Sequence, residues 1–196
     1  MNYGELKEQI RDLGFAEDEE INEFGEVVPN AINRAITEIN LGVAPNIGTY
    51  KIEQDGKDDK ILYYDIEELT TDEDGTVRFL DFADTPVMVG DKAYTRYNDF
   101  HIENSNTLVM DGSVEGTFKV FYKRAHTPLT IDSEDGTKIE LPLKAHILVP
   151  LLASYYIWLE DEKAKAVDYY NQYERLAQEL KTASEKPRAK ILTGGI

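Results

Sequence analysis

The apolar residues of this chain change their spacing twice. Near the start they recur every three or four residues. From about Thr49 to Ile139 they come in short alternating bursts, and after Leu141-Pro142 the wider spacing returns. A period of about 3.6 lines one face of a helix and a period of about two lines one face of a strand, so one kind of element cannot serve all three segments. The expected fold is α+β. A helical bundle is drawn from both ends of the chain, and an antiparallel β module is inserted between them.

Leu6, Ile10 and Leu13 predict a helix over residues 3 to 13, with Gly14 as its stop. Pro29 suits the first turn of a second helix, whose apolar face is Ala31, Ile32, Ala35, Ile36 and Ile39 and whose end is Gly42. The acidic segment 16 to 26 between them admits a short helix or a loop. In the middle, TYKIEQ, KILYYDI, TVRFLDF, PVMVG, HIEN, TLVMDG and GTFKVFYKR are rich in β-branched and aromatic residues. Asp55-Gly56, Asp74-Gly75, Asn104-Ser105-Asn106, Asp111-Gly112 and Asp135-Gly136 separate the runs, which predicts successive hairpins.

Past Pro142, Leu148, Leu152, Tyr155 and Leu159 form one helical stripe, and Ala166, Tyr169, Tyr173, Leu176 and Leu180 form another. Asp161 is the expected N-cap of the second helix. The pair reads as an antiparallel α-hairpin, with Pro150 inside the first helix and expected to kink it. The resulting division is a helical bundle from residues 1–46 and 140–184, a β module over 47–139, and a basic tail over 185–196.

Charge narrows the function. The 196 residues carry 38 acidic and 21 basic side chains, a net charge of −17, and a surface of that sign repels phosphate. Cysteine is absent, so no disulfide framework or thiolate metal site is available. MNYGELKEQIRDLGF lacks the basic-then-apolar pattern of a signal peptide. The longest apolar run, Ile147 to Leu159, is interrupted by Pro150 and Ser154, and no membrane insertion is expected.

Catalytic and metal patterns are not matched. TTDEDGT and IDSEDGT resemble calcium loops, but their glycines fall too early for the ligand spacing. They read as turns whose Asp-Gly supplies positive φ. His101, His126 and His146 lie far apart and in no spaced ligand pair. A phosphate-binding glycine loop and a GxSxG elbow are missing. Among so many acids some carboxylate pair always suits a glycosidase, so their number discriminates nothing. The expectation is a non-enzyme with no cofactor and no metal.

The stretch SYYIWLEDEKAKAVDYYNQYERL mixes rings with charge. Stacking platforms for single-stranded nucleic acid lie in positive grooves, whereas acids outnumber bases here, which favours packing. Tyr155, Tyr169 and Tyr173 fall on the faces expected to meet in the hairpin seam. Tyr156 and Tyr170 lie about 100° off their neighbours and point to the β module or to another subunit. The tail carries Lys186, Arg188 and Lys190 with Ile191 and Leu192. It reads either as a frayed terminus or as an arm that docks on an acidic neighbour. Tyr156, Tyr170, Lys186, Arg188, Lys190, Ile191 and Leu192 are therefore the candidate interface residues.

The order of these features resembles the head–tail adaptor (connector) proteins of tailed bacteriophages, including the tubular gatekeeper-type adaptors. AINRAITEIN lies in the N-terminal helices, FYKRAHTPLT leads to Leu141-Pro142, LLASYYIWLEDE follows, and KAVDYYNQYERLAQEL closes the pattern. The resemblance implies a non-enzymatic virion subunit, made in the host bacterial cytoplasm and assembled as a dodecameric ring. Such a ring binds the portal protein, docks the next neck or tail protein, and lets genomic DNA pass through its lumen without sequence-specific binding. A negative lumen suits that passage. An acidic DNA mimic that inhibits a nucleic-acid enzyme is the alternative, and a carbohydrate-active enzyme comes third.

Overall fold

A computed structural model describes residues 1–14, 25–58, 60–91 and 93–185. Within them the protein is mixed α+β, with five α-helices and two antiparallel sheets. Helix α1 spans Tyr3–Gly14 and buries Tyr3, Leu6 and Ile10. Asn2 Oδ1 accepts from the Glu5 N–H at 2.8 Å, and the Glu5 carboxylate accepts from the Asn2 N–H at 3.0 Å. This reciprocal box satisfies two amide donors at the start of the helix. Helix α2, Val27–Gly42, starts two residues before the expected Pro29 and keeps that proline in its first turn. Most of the ambiguous acidic segment before it lies outside the described residues.

The β elements are β1 (Ile47–Asp55), β2 (Ile61–Asp65), a short helix α3 (Ile66–Leu69), β3 (Phe79–Val89), β4 (Thr95–Arg96), β5 (Phe100–Glu103), β6 (Thr107–Asp111) and β7 (Glu115–Arg124). One sheet has the order β1-β7-β3-β4 and the other β2-β6-β5. The strands were legible, but their pairing as successive hairpins was not. β1 and β2 flank Asp55-Gly56 yet belong to different sheets, and β1 pairs along its whole length with distant β7. Gly56 (φ 69°) and Gly75 (φ 83°) do adopt the left-handed conformation that a turn glycine permits. A positive φ turns the chain; it does not choose the partner strand. TVRFLDF and PVMVG fuse into β3, whose pairing with β7 is irregular between Phe82 and Val87. The tight β5–β6 hairpin is the one the sequence anticipated, with Asn104 (φ 51°) and Ser105 (φ 69°) at its tip.

Asp135-Gly136 is no hairpin tip either. The Asp135 and Thr137 carbonyls accept from the Gly4 and Tyr3 amides at 2.9 and 2.8 Å, so this loop closes the N-terminus of α1. Lys7 pairs with the Asp135 carboxylate at 2.6 Å.

A 3-10 turn, Leu143–Ala145, precedes helix α4 (Leu148–Trp158) and helix α5 (Lys163–Glu185). Pro150 is the third residue of α4, not an interior residue, so it replaces an amide with no intrahelical acceptor and the expected kink has no cause. The start of α5 follows Glu162, one residue past the expected Asp161 cap, and the Ala166 amide donates to the Glu162 carbonyl at 3.0 Å. α4 is no amphipathic stripe. Leu148 to Ser154, Ile157 and Trp158 are all buried, because α1, α2 and α5 all contact it.

Two apolar clusters result. One gathers Leu6, Ile10, Ile32, Ile36, Ile39, Leu148 and Leu152 with Leu129 and Ile139 from the chain that leaves β7. The other gathers Ile52, Ile66, Val87, Leu108, Met110, Phe118 and Val120 between the sheets. Two asparagines on α2, seven residues and so two turns apart, tie the first cluster to the strand exit. Buried Asn40 donates to the Arg124 carbonyl at 2.8 Å and accepts from the Asn46 N–H at 2.7 Å. Asn33 donates to the Leu129 carbonyl at 2.8 Å and accepts from the Leu129 N–H at 2.9 Å. Asn40→Ala would deprive the half-buried Arg124 carbonyl and Asn46 amide of their partner together. The expected loss is on the order of 2–4 kcal/mol of unfolding free energy, measured by urea denaturation.

Candidate assembly interface

The junction between the two clusters is polar and grooved. Arg78, buried just before β3, donates to Asp72 at 2.5 Å, to Thr127 Oγ1 at 2.8 Å and to Glu140 at 3.4 Å. A buried guanidinium requires such acceptors, and these three come from both sides of the strand exit. Buried His126 places Nδ1 2.8 Å from the Thr127 carbonyl and Nε2 3.3 Å from the Asn33 carbonyl. Beside them lies an open groove of about 980 Å³, lined by Asn33, Arg34, Thr37 and Leu41 of α2 and by Val77 and Pro128 across from it.

Tyr156 sits at the edge of this junction. Its hydroxyl donates to the Glu38 carboxylate, and the Arg34 guanidinium lies 4.0 Å from the ring centroid. Burial and the bond to Glu38 both raise the Tyr156 pKa above its ordinary value. The rings then run on across α4 and α5. Tyr155 stands 5.0 Å from Tyr156 and 4.9 Å from Tyr170, and Tyr170 stands 5.9 Å from Tyr173. Tyr170 is half-buried and donates to Glu174 at 3.2 Å. Tyr169 turns instead to α1, where its hydroxyl donates to the Leu13 carbonyl.

The structure thus brings Tyr156 and Tyr170 into one aromatic run through Tyr155. Lys186, Arg188, Lys190, Ile191 and Leu192 lie outside the described residues. Arg34 and Glu38 were not singled out from sequence. Their signal was an Arg and a Glu four residues apart beside the apolar face of AINRAITEIN, where a charged pair reads as solvated surface.

The acidic turns use their carboxylates locally. Asp74 accepts from the Thr76 N–H at 2.9 Å and Asp111 from the Ser113 N–H at 2.9 Å. Those amide donors hold both carboxyls below the usual range. Among the described residues no group of three His, Asp or Glu could hold a metal ion, and no helix is long and apolar enough to cross a membrane.

These features define a mixed helix-and-sheet protein whose buried polar groups hold backbone and partner side chains in place. A family model described as SU10 adaptor protein matches residues 1–191, and the chain belongs to that family. Its role is accordingly that of a structural phage adaptor. No curated protein matches the chain.

The tyrosine run makes a pH-dependent contribution of known sign. Burial, assisted by Glu38, pushes the Tyr173 hydroxyl from 10.0 up to about 12. The folded protein therefore holds a proton that the unfolded chain releases between these values. The contribution to stability is complete below pH 10 and is lost as pH rises through about 12. Urea midpoints measured across that window should fall less steeply for Tyr173→Phe than for the wild type.

Proposed function

We propose that the chain is a head–tail adaptor subunit that forms a ring on the portal, extends the DNA channel and offers a landing surface to the next neck or tail protein. The observation that carries this reading is the adaptor-family match over residues 1–191. The net charge of −17 supports it, since an acidic lumen lets a polyanion slide past without binding. In this reading α1, α2, α4 and α5 act as a helical bundle with a C-terminal α-hairpin, residues 47–139 act as the β module, and a dodecameric ring is the working form.

Tyr156 and Tyr170 are proposed as neighbour-facing residues because they carry a half-buried aromatic run to the surface beside the junction groove. Aromatic side chains of that kind are favoured interface anchors. Lys186, Arg188, Lys190, Ile191 and Leu192 are proposed as a docking arm. They are basic and apolar on a chain that is otherwise acidic.

The test is negative-stain imaging of the purified chain mixed with purified portal. The full chain should add a ring at one end of the portal. A chain truncated before Pro187 should fold normally and add none. Bare portals with the full chain would refute the adaptor reading, and normal rings with the truncated chain would refute the docking arm alone.

A further inference from the structure

β1 is one edge of the four-stranded sheet, and its backbone is turned to receive another strand there. The Arg124 amide donates to the Asn46 carbonyl at 2.7 Å, so these two residues face each other as a bonded pair. Bonded and unbonded pairs alternate along antiparallel strands. The unbroken register from Ile47↔Lys123 to Asp55↔Glu115 therefore aims the amides and carbonyls of Gly48, Tyr50, Ile52 and Gln54 at β7. Those of Ile47, Thr49, Lys51 and Glu53 point the other way, where the described chain places no strand. A nine-residue edge with no proline and no bulge is a template for strand addition.

One end of this edge is acidic. Register sets Asp55 directly opposite Glu115, and opposed like charges weaken a strand pair. Together with Glu53 and Asp91 they line a groove of about 700 Å³. Lys51 and Lys57 answer Glu53 and Asp55 within the subunit, but both pairs are exposed and such pairs hold weakly.

The tail carries a segment that fits this edge. Residues 188–193 read RAKILT. Laid antiparallel to β1 with Lys190 beside Glu53, Arg188 falls beside Asp55 and Leu192 beside Lys51. Ile191 then falls beside buried Ile52, in a row that already runs on to Phe118. Laid parallel through the same Lys190–Glu53 pair, Arg188 would meet Lys51, so the charges select the antiparallel register. The segment extended spans about 20 Å, as does β1 from Asp55 to Tyr50. Lys181, Thr182 and Ala183 are all exposed, so α5 has left its own apolar cluster before the tail begins.

We propose that residues 188–193 of one copy add to β1 of a neighbouring copy as an antiparallel fifth strand, with Lys190 beside Glu53. The inference rests on the ring and docking-arm reading above and adds where the arm goes. An arm that reaches the next copy leaves its own β1 open to the copy behind, which is the head-to-tail pattern that closes a ring. A second β1 would also match Lys51 with Glu53, but a two-fold pair of that kind is complete at two copies.

Charge exchange tests it in rings on purified portal. Arg188→Glu with Lys190→Glu, and Glu53→Lys with Asp55→Lys, should each lower ring occupancy about tenfold or more. All four changes in one chain should restore it. Loss with the tail variant but none with the β1 variant would overturn the inference and spare the docking arm. A fourfold variant that folds, by circular dichroism, yet does not recover would overturn it too. Absence of wild-type rings would overturn the adaptor reading and this contact with it.

Cross-linking covers variants that misfold and reads the register, since the chain has no cysteine of its own. Oxidised rings built from Glu53→Cys and Lys190→Cys chains together should contain mixed disulfide dimers. Rings built from Ile47→Cys and Lys190→Cys chains should not, because position 47 lies about 20 Å further along β1. Rings lacking the first dimer would overturn the contact. So would mixed dimers of Glu53→Cys with Lys51→Cys chains, the mark of β1 on β1. A disulfide closed within single chains that carry both Glu53→Cys and Lys190→Cys would put the arm on its own subunit and overturn it as well.

Discussion

The rest of the structure depends on the bonds that Asn33 and Asn40 make from α2 to the chain leaving β7. Each asparagine answers both an amide and a carbonyl, or two backbone groups of different segments, at a place where strand pairing has ended. Without them the exit from β7 would bury unpaired backbone. With them, the strand that closes the four-stranded sheet is registered against the helix that covers α4. Asn46 extends the link to the Glu140 carbonyl at 3.2 Å, so the chain entering β1 is held to the segment that leads back to the helices. The two apolar clusters are thereby tied where the chain passes between them.

That tie explains the distribution of polar groups. Arg78, His126 and Glu140 all cluster at the junction, and the junction groove opens beside them. Buried polar networks of this kind favour one arrangement over others, because a shifted register leaves their members unsatisfied. In the proposed ring such definition would matter, since an error in the angle between the two parts of a subunit would accumulate around it. The chain as a whole is acidic, whereas Lys51, Lys119 and Arg96 lie with Met88 in one row across the four-stranded sheet.

Periodicity made the elements legible. The apolar faces of α1 and α2 were read correctly because amphipathic helices state their burial in their spacing, and most strands were located because alternation does the same. Three things were not legible, each for a physical reason. Strand partners depend on distant pairing, so Asp-Gly turns suggested hairpins where β1 and β7 actually meet. The coverage of α4 depends on three other helices, so a stripe was expected where almost every side is buried. Pro150 was misread because the start of α4 is set by the preceding 3-10 turn, whose apolar residues share the helical spacing. The angular offset of Tyr156 and Tyr170 pointed them to the β module or another subunit, whereas both rings pack against Tyr155 of the helix pair. Arg34 and Glu38 were missed, since one ring stacked on one guanidinium leaves no sequence pattern of its own.

The most direct measurement is a high-resolution electron cryo-microscopy map of the neck of an assembled particle that contains this chain. The account predicts a closed ring of copies between the portal and the tail, with Tyr156 and Tyr170 at the boundary between neighbours. A particle whose neck lacks the chain, or a ring whose copies meet away from both tyrosines, would contradict it.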